Sequence, residues 1–254
     1  MNQLPAKAGT RSLSRNRHKD CLNTSAKMPA INDPAVAEGR TKFPNMVVPV
    51  EGRRVLKDGS NSCKTGNRIT KGDWRALRIY TLSLEERRTC PVRCETWRSC
   101  YGNNTPFAER LKHGPDLQKA VEREVAELSA KHPDGFAIRL HVLGDFYSSE
   151  YVETWHRLFD RHRQLHAFGF SRRWGSDDPI DLALAKLKAA HPKRFRMRWS
   201  SRPGKDGTTS IETPRQCPPG YIVCPAQTDT TGLRNCGNCG LCFNSDAPVA
   251  FLRH

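Results

Sequence analysis

Hydrophobic and polar positions follow two alternating periodicities from residue 76 onward. Four short runs favour extended backbone and predict β-strands: residues 76–84, 136–143, 166–170 and 194–199. Between the strands, apolar side chains recur at helical spacing, as at Leu117, Val121 and Val125. Strands and helices that alternate in this way predict βα units on a parallel sheet. We therefore predict an α/β fold whose sheet forms an open, partial or TIM-like barrel.

The predicted helices have recognisable ends. Pro115 stands in the first turn of one helix, where proline is tolerated, and Pro133 ends that helix. Ser148 can cap the second helix, and Asp178 precedes the Pro179 that begins the third. These signals place one helix in each interval between the four strands.

The segments on either side of this region differ from it in composition. Residues 1–45 are polar, basic and poor in periodic apolar positions, which predicts a disordered basic arm. Residues 46–202 form the predicted α/β domain, which includes the first of two cysteine clusters. Residues 203–254 form a cysteine-rich extension that we expect to bind a metal or an iron–sulfur cluster.

The chain is strongly basic, with a net charge of +16 from 42 lysines and arginines against 26 acidic residues. The excess lies before residue 203, because residues 203–254 carry equal numbers of basic and acidic side chains. A basic body suits a polyanionic partner or substrate, namely nucleic acid or a nucleotide. A solvated basic surface explains the charge equally well.

No apolar stretch is long enough to span a bilayer, and the N-terminus lacks the apolar core of a secretion signal. We therefore expect a cytoplasmic protein that has no membrane partner. Thiols stay reduced in that compartment, so clustered cysteines favour metal binding over disulfides.

Three cysteines directly follow the first predicted strand, and we name them the first cysteine group. Cys90, Cys94 and Cys100 have the spacing C-x3-C-x5-C. Converging thiolates suit a soft metal or an iron–sulfur cluster, whereas a core cysteine is usually solitary. Three thiolates leave one iron of a 4Fe–4S cluster open, which is typical of a catalytic site. Reduced structural thiols without a metal are the alternative.

Four cysteines follow the last predicted strand, and we name them the second cysteine group. Cys236, Cys239 and Cys242 have the spacing C-x2-C-x2-C, and Cys224 can supply a fourth ligand. This compact run with interspersed glycines is typical of a 4Fe–4S cluster, and zinc is the alternative. Cys217 is either a spare ligand or a structural thiol, Cys21 in the arm is incidental, and Cys63 receives no role.

Polar residues follow the later strands at their carboxyl ends. Such ends meet at one edge of a parallel sheet, where functional groups gather. The candidates at this edge, besides the first cysteine group, are Gly144, Asp145, Ser171, Arg172, Ser200 and Ser201. We interpret His141, in the second strand, as a structural histidine. Arg194, Arg196 and Arg198 share one side of the last strand, where they either hold phosphates or lie in solvent.

The order of a strand, a three-cysteine loop, a helix and a strand ending in Gly144-Asp145 resembles the start of the radical S-adenosylmethionine enzymes. Their common spacing is C-x3-C-x2-C, so the last interval is longer here. The resemblance implies that an open iron and the Gly144-Asp145 pair bind S-adenosylmethionine, and that an electron donor is a partner. It also implies that the later strand ends face this cofactor, with Asp145 and Arg172 in catalytic roles: Ser171, Arg172, Ser200 and Ser201.

Three motifs resemble the gene product eighty-eight family of phages and plasmids more closely. They are Cys-Pro…Cys…Cys-Tyr at the first cysteine group, Gly-Asp-Phe-Tyr-Ser from residue 144, and Cys-Pro-Ala-Gln…Cys-Gly-x-Cys-Gly-Leu-Cys in the extension. The resemblance covers about residues 60–254. It implies a shared fold and shared cysteine ligands, and it implies no reaction.

Two functions agree with these patterns. The first is an iron–sulfur enzyme of the radical S-adenosylmethionine type, which carries one or two 4Fe–4S clusters and acts on a substrate such as a nucleotide or nucleic acid. The second is a zinc-binding, non-catalytic nucleic-acid-binding protein of phage or plasmid origin. The convergence of thiols, Gly144-Asp145 and Ser-Arg residues on one predicted edge favours the enzyme.

Overall fold

One mostly parallel sheet of eight strands forms the centre of the protein. The computed structural model describes residues 28–30, 32–62, 64–175 and 178–253. In chain order the strands are β1 Val47–Val48, β2 Lys57–Asp58, β3 Arg78–Leu82, β4 Arg110–Leu111, β5 Phe136–Leu140, β6 Leu165–Ser171, β7 Phe195–Ser200, β8 Gly207–Ile211, β9 Ile222–Val223 and β10 Val249–Leu252. The α-helices are α1 Pro34–Ala37, α2 Pro115–Lys131, α3 Ser149–Arg161, α4 Pro179–Ala190, α5 Pro225–Thr228, α6 Cys236–Cys239 and α7 Leu241–Asn244. Short 3-10 helices span Pro44–Met46, Gly59–Asn61, Tyr101–Asn104 and Pro214–Gln216.

The strand order of the sheet is β2-β3-β5-β6-β7-β8-β10-β9, and only the β2–β3 pair is antiparallel. From β3 to β8 the chain therefore crosses the sheet in one direction. Crossovers of one hand then place α2, α3 and α4 on the same face. In the part of the chain that the structure describes, the sheet is open, with β2 and β9 at its edges. The α/β fold with a parallel sheet is thus confirmed, without the closure of a TIM-like barrel, which needs eight βα units.

The three long helices begin where the sequence predicts. Pro115 and Pro179 occupy first-turn positions, and Asp178 accepts a hydrogen bond from the backbone N–H of Ile180 at 2.9 Å. Ser148 accepts one from the N–H of Tyr151 at 3.2 Å. The apolar faces of these helices pack on alternate residues of β5, β6 and β7 in one buried core. No helix in the described ranges is long and apolar enough to cross a membrane.

The opposite face of the sheet is covered by the cysteine-bearing segments rather than by long helices. A second, smaller core lies here, where Trp74 stacks on Phe243 with ring centroids 5.1 Å apart. Phe168 of β6 contacts the same phenylalanine at 4.9 Å. Because Phe243 lies in α7, this cluster holds the second cysteine group against the sheet.

Strand β8 continues the sheet beyond the end of β7. Trp199 and Ser200, the last residues of β7, pair with Gly207 and Thr208, the first residues of β8. Strand β8 therefore projects about 10 Å past its neighbour, since a strand rises about 3.3 Å per residue. Strand β10 pairs along this projection, so residues of the predicted extension build a wall above the carboxyl ends of the earlier strands.

The two predicted flanking segments differ in how they relate to the sheet. Most of the predicted N-terminal arm, residues 1–27, lies outside the described residues, as does Cys63. Its last part contacts the domain, because the buried Thr41 hydroxyl donates to the Glu86 carboxylate at 2.7 Å. The cysteine-rich extension shares the domain's sheet through β8, β10 and β9.

Candidate functional site

Both cysteine groups line one cavity of about 370 Å³ on the face of the sheet opposite the long helices. We name it the shared cavity. Its thiols are Cys90, Cys94 and Cys100 from the first group and Cys224, Cys236 and Cys242 from the second. Six of the predicted site residues other than cysteines were expected at this edge, and five of them line the cavity: Gly144, Asp145, Arg172, Ser200 and Ser201.

The loop that carries the first cysteine group is held by buried charged side chains. The Arg87 guanidinium donates to the carbonyls of Arg40 and Trp97 at 3.1 and 2.8 Å. It also donates to the Asn103 side chain at 2.6 Å, and Asn103 in turn donates to the Arg98 carbonyl at 2.7 Å. These bonds cross-link the loop without a covalent bond, so the three thiols have a defined position before any metal binds.

A buried ion pair also supports this loop. The Arg110 guanidinium donates to both carboxylate oxygens of Glu86, at 2.7 and 3.1 Å. Its remaining donors reach the carbonyls of Gly102 and Thr105. A buried charge pair is stable only when its other donors and acceptors are satisfied, and here they are.

The thiols of the first group are in an environment that suits a bound cation. Burial, with nearby negative charge, raises the pKa of Cys90, and burial and Glu86 raise the pKa of Cys100 to about 12. Protonated thiols gathered in a desolvated loop become thiolates when a soft cation replaces their protons. Three thiols on one loop suit a soft metal or an iron–sulfur cluster, but among the described residues no three of the thiols lie within 4.8 Å of one another.

Three members of the second cysteine group lie on two very short helices that a glycine separates. Cys224 immediately precedes α5, Cys236 and Cys239 are the ends of α6, and Cys242 lies in α7. Gly240 joins the last two helices with a φ of +73°, which a side chain would disfavour. Burial raises the pKa of Cys224 to about 11 and raises that of Cys236 and Cys242.

Cys217 is separate from this group. Its Sγ lies 3.4 Å from the Tyr221 carbonyl, and it does not line the shared cavity. Cys239 is also absent from the lining, although it ends the α6 helix that Cys236 begins. Three of the four thiols predicted to act together therefore line the cavity.

Arg198 of β7 holds the second cysteine group through backbone carbonyls. Its Nε donates to Cys242 at 3.1 Å and one amino group donates to Ala247 at 2.7 Å. The other amino group donates to Leu241 and Ser245, at 3.2 and 2.5 Å. With only 1% of Arg198 exposed, one side chain fixes the backbone of α7 and the residues after it.

The neighbouring arginines of the predicted stripe also bind backbone carbonyls. Arg196 donates to the Phe243 carbonyl and pairs with Asp246 at 2.9 Å. Arg194 donates to the carbonyls of Phe159 and His162. The expectation of a phosphate-binding stripe or a solvated edge strand is thus wrong, because β7 is an interior strand whose arginines hold adjacent segments.

The Gly144-Asp145 turn connects the first cysteine loop to the next strand end. Asp145 is 3% exposed, and its two oxygens accept the backbone N–H groups of Phe146 and Arg172, each at 2.8 Å. Its own N–H donates to the Thr89 hydroxyl, next to Cys90. Burial outweighs these hydrogen bonds and raises the pKa of Asp145 to about 6.

The other predicted residues divide between the cavity and its support. Ser171 is buried outside the cavity lining, where its hydroxyl accepts the Arg173 N–H at 3.0 Å. Arg172 lines the cavity with its guanidinium 4.9 Å from the Trp174 ring and 3.6 Å from Glu95. Ser200 and Ser201 contribute polar atoms to the opposite side of the lining.

Sequence reasoning missed many residues of the lining, two of which carry positive charge, and it gave a third only a structural role. Arg139 and Lys64 face the cavity, and His141 lines it although we interpreted it as structural. The sequence contained a signal for these residues. In an alternating pattern, Arg139 and His141 occupy the positions between those of the core residues Phe136 and Ile138. Charged residues at such positions indicate a polar face within an otherwise buried strand.

A second cluster of possible ligands lies on the helix face. Ligand atoms of His156, Asp160 and His191 lie within 4.8 Å of one another. Arg194 donates to Nδ1 of His191, so the ring proton lies on Nε2, 3.1 Å from Asp160. In this neutral tautomer one ring nitrogen accepts from Arg194 and the other carries the proton, so neither offers the free lone pair that a metal needs.

Comparisons with known proteins give one family. No curated protein and no solved structure matches the chain. The resemblance to radical S-adenosylmethionine enzymes gains no support from them. The family described as Gene product 88 matches residues 54–202, which is more than half of the chain and includes the first cysteine group, Gly144-Asp145 and strand β7. The protein belongs to the Gene product 88 family.

Proposed function

We propose that the protein is an iron–sulfur enzyme that resembles the radical S-adenosylmethionine class. The observation that carries this proposal is that all three thiols of the first group and three of the four thiols of the second line the same cavity, together with the Gly144-Asp145 turn. A purely structural metal site closes its coordination with four protein ligands, whereas a reactive site keeps a position open. The first cysteine group has the incomplete set and the second has the complete one.

The chain's own residues would divide the work as follows. The first cysteine group would hold a cluster with one open iron, and the second would hold an auxiliary cluster. When bound, the open cluster supplies one-electron reduction of a sulfonium cofactor such as S-adenosylmethionine. Gly144 brings backbone close to that site, Arg172 adds positive charge, and Ser200 and Ser201 offer hydrogen bonds.

The remaining walls favour radical chemistry by limiting water. Phe170 and Phe251 pack edge to face at 5.2 Å beside the cavity, and Leu143 adds apolar surface. A reactive intermediate in such a chamber is protected from solvent and side reactions. The residues of the lining therefore position and shield, while the bound groups supply the electrons.

Anaerobic purification with iron, sulfide and zinc analysis tests this proposal. We expect a brown protein with matched iron and sulfide, and a loss of about half the iron in Cys94→Ser or Cys236→Ser, since each substitution removes a ligand of one of the two proposed clusters. Cys217→Ala is the matched control and should keep all the iron. A colourless protein with stoichiometric zinc would contradict the proposal.

The zinc alternative has its own supporting observation. Three thiols of the second cysteine group lie on α6 and α7 and the fourth, Cys224, directly precedes α5, and four thiolates are the closed set that structural zinc takes. With a net charge of +16, such a protein would bind nucleic acid without catalysis. Zinc in the purified protein, together with salt-sensitive binding to a mixed-sequence oligonucleotide, would favour this alternative.

A further inference from the structure

We propose that Arg139 and His141 form an anion-binding subsite in the shared cavity, which takes the carboxylate or phosphate group of a small-molecule substrate. Arg139 lies in β5 and His141 directly follows that strand, and both residues line the cavity. The identification of the ligand as a substrate rests on the proposed function. The inference that the site binds an anion is independent of that function.

Arg139 has donors that the protein does not use. Its one hydrogen bond among the described residues goes to the carbonyl of the adjacent Leu140, at a long 3.4 Å. No acidic side chain in those ranges lies within ion-pair distance of it. By contrast, Arg87, Arg110 and Arg198 each bond their guanidinium groups to several oxygens.

Aromatic rings hold the Arg139 guanidinium in the cavity. Its central carbon lies 4.4 Å from the ring centroid of Phe170 and 5.8 Å from that of Phe168. Stacking of this kind orients the planar fork and leaves its in-plane N–H groups for another acceptor.

His141 supplies a second unused polar atom. Its Nε2 lies 3.0 Å from the Tyr151 hydroxyl, but its buried Nδ1 has no hydrogen-bond partner in the described ranges. The side chain is 3% exposed, and a buried polar atom without a partner costs free energy. A ligand that binds Arg139 and also reaches His141 in the cavity lining would satisfy this nitrogen.

The surroundings restrict the ligand to a small molecule with an apolar part. A cavity of about 370 Å³ is the size of a small-ligand site and cannot admit a nucleic-acid duplex. Phe170, Phe251 and Leu143 provide the apolar walls, whereas a guanidinium fork prefers oxygen pairs to thiolate sulfur. Carboxylate and phosphate share the chemistry that this fork recognises.

Isothermal titration with benzoate and with phenyl phosphate, on the protein as purified anaerobically, tests the inference. We expect both or one of these probes to bind, and Arg139→Gln to weaken binding at least about tenfold. Arg139→Lys should retain phenyl phosphate better than benzoate, because a lysine lacks the bidentate fork. The exposed Arg157→Gln is the control for net charge and should bind as the parent does.

The contradicting outcomes are equally definite. No measurable binding of either probe, or equal binding by the parent and Arg139→Gln, would overturn the inference. Loss of cluster iron in Arg139→Gln would also overturn it, because Arg139 would then be a counter-charge for a cluster. Binding that needs Arg139 in a protein without iron would support the subsite while contradicting the proposed function. If Arg139→Gln does not fold, Arg139→Lys alone decides by its preference between the two probes.

Discussion

The two cysteine groups reach the same cavity by opposite means. The first lies on a long loop that buried charged side chains tie down, through Glu86, Arg87 and Arg110. The second lies on short helices whose backbone carbonyls converge on the single side chain of Arg198. A loop can present thiols at irregular spacing, whereas α6 and α7 fix the spacing by helical geometry. The irregular set is the one with three thiols rather than four.

The family match also distinguishes the two cysteine groups. Residues 54–202 include the first group and its supporting ion pair, and they include Arg198, but they exclude the second group itself. The support for the second group is therefore built into the matched region. The variants below test whether each group depends on its own support.

Removing the charge of Glu86 should have the largest effect. Glu86→Gln leaves the Arg110 guanidinium buried without a counter-charge, which costs about 3–5 kcal/mol of unfolding free energy. Denaturant unfolding measures this loss. The control is Glu127→Gln, which disrupts the exposed pair with Arg54 and should cost less than about 1 kcal/mol. Equal effects of the two variants would mean that the buried pair does not support the loop.

Removing Arg198 should have an intermediate effect confined to the second group. Arg198→Met deprives four carbonyls of a donor, and a buried unsatisfied group costs about 1–3 kcal/mol. We expect the second group's thiols to react faster with iodoacetamide in the metal-free protein, as mapped by mass spectrometry, and the first group's rate to stay unchanged. The exposed Arg202→Met is the control. Faster alkylation of both groups would show that the two supports are not separate.

Adding a methyl group at Gly144 should have the smallest of these effects and act on the first group. Gly144 has a φ of +84°, and a Cβ there would lie 2.6 Å from the Thr89 hydroxyl. The matched control is Gly175→Ala, which has a φ of +68° and nothing within 4 Å. Both variants bear a backbone cost of about 1 kcal/mol, so any excess in Gly144→Ala measures the close contact with the cysteine loop. Unfolding free energies that agree within error would show that the loop moves aside.

Local sequence signals predict the framework well. Strands β3, β5, β6 and β7 overlap the four predicted runs, and the caps at Ser148 and Asp178 form as expected. These elements have strong periodicity, and their cores are formed by neighbours along the chain. The candidate residues at the carboxyl ends also meet at one edge, because parallel strands leave no other arrangement.

What the sequence could not predict depends on contacts between distant segments. Strand β8 reads Gly-Thr-Thr-Ser-Ile, which has no large apolar alternation, and it joins the sheet by pairing with β10. From the sequence, Arg196 and Arg198 look like surface charges. Their hydrogen bonds to carbonyls of α7 and of the residues after it depend on a segment that is distant in sequence. The position of Arg139 in a cavity likewise could not be predicted, because residues of β8 and β10 form part of the cavity lining.

The order β8-β10-β9 has a consequence for chain entropy. Every member of the second cysteine group lies at or within the connection between β9 and β10, and β10 inserts between β8 and β9 to complete the edge. Pairing of β10 with the sheet closes this connection into a loop, which costs conformational entropy. A metal bound by the thiols of the loop would already have restricted it, so the remaining entropy cost would be smaller. Metal loading and strand insertion would then be thermodynamically linked, and the edge of the sheet would loosen when the metal is withdrawn.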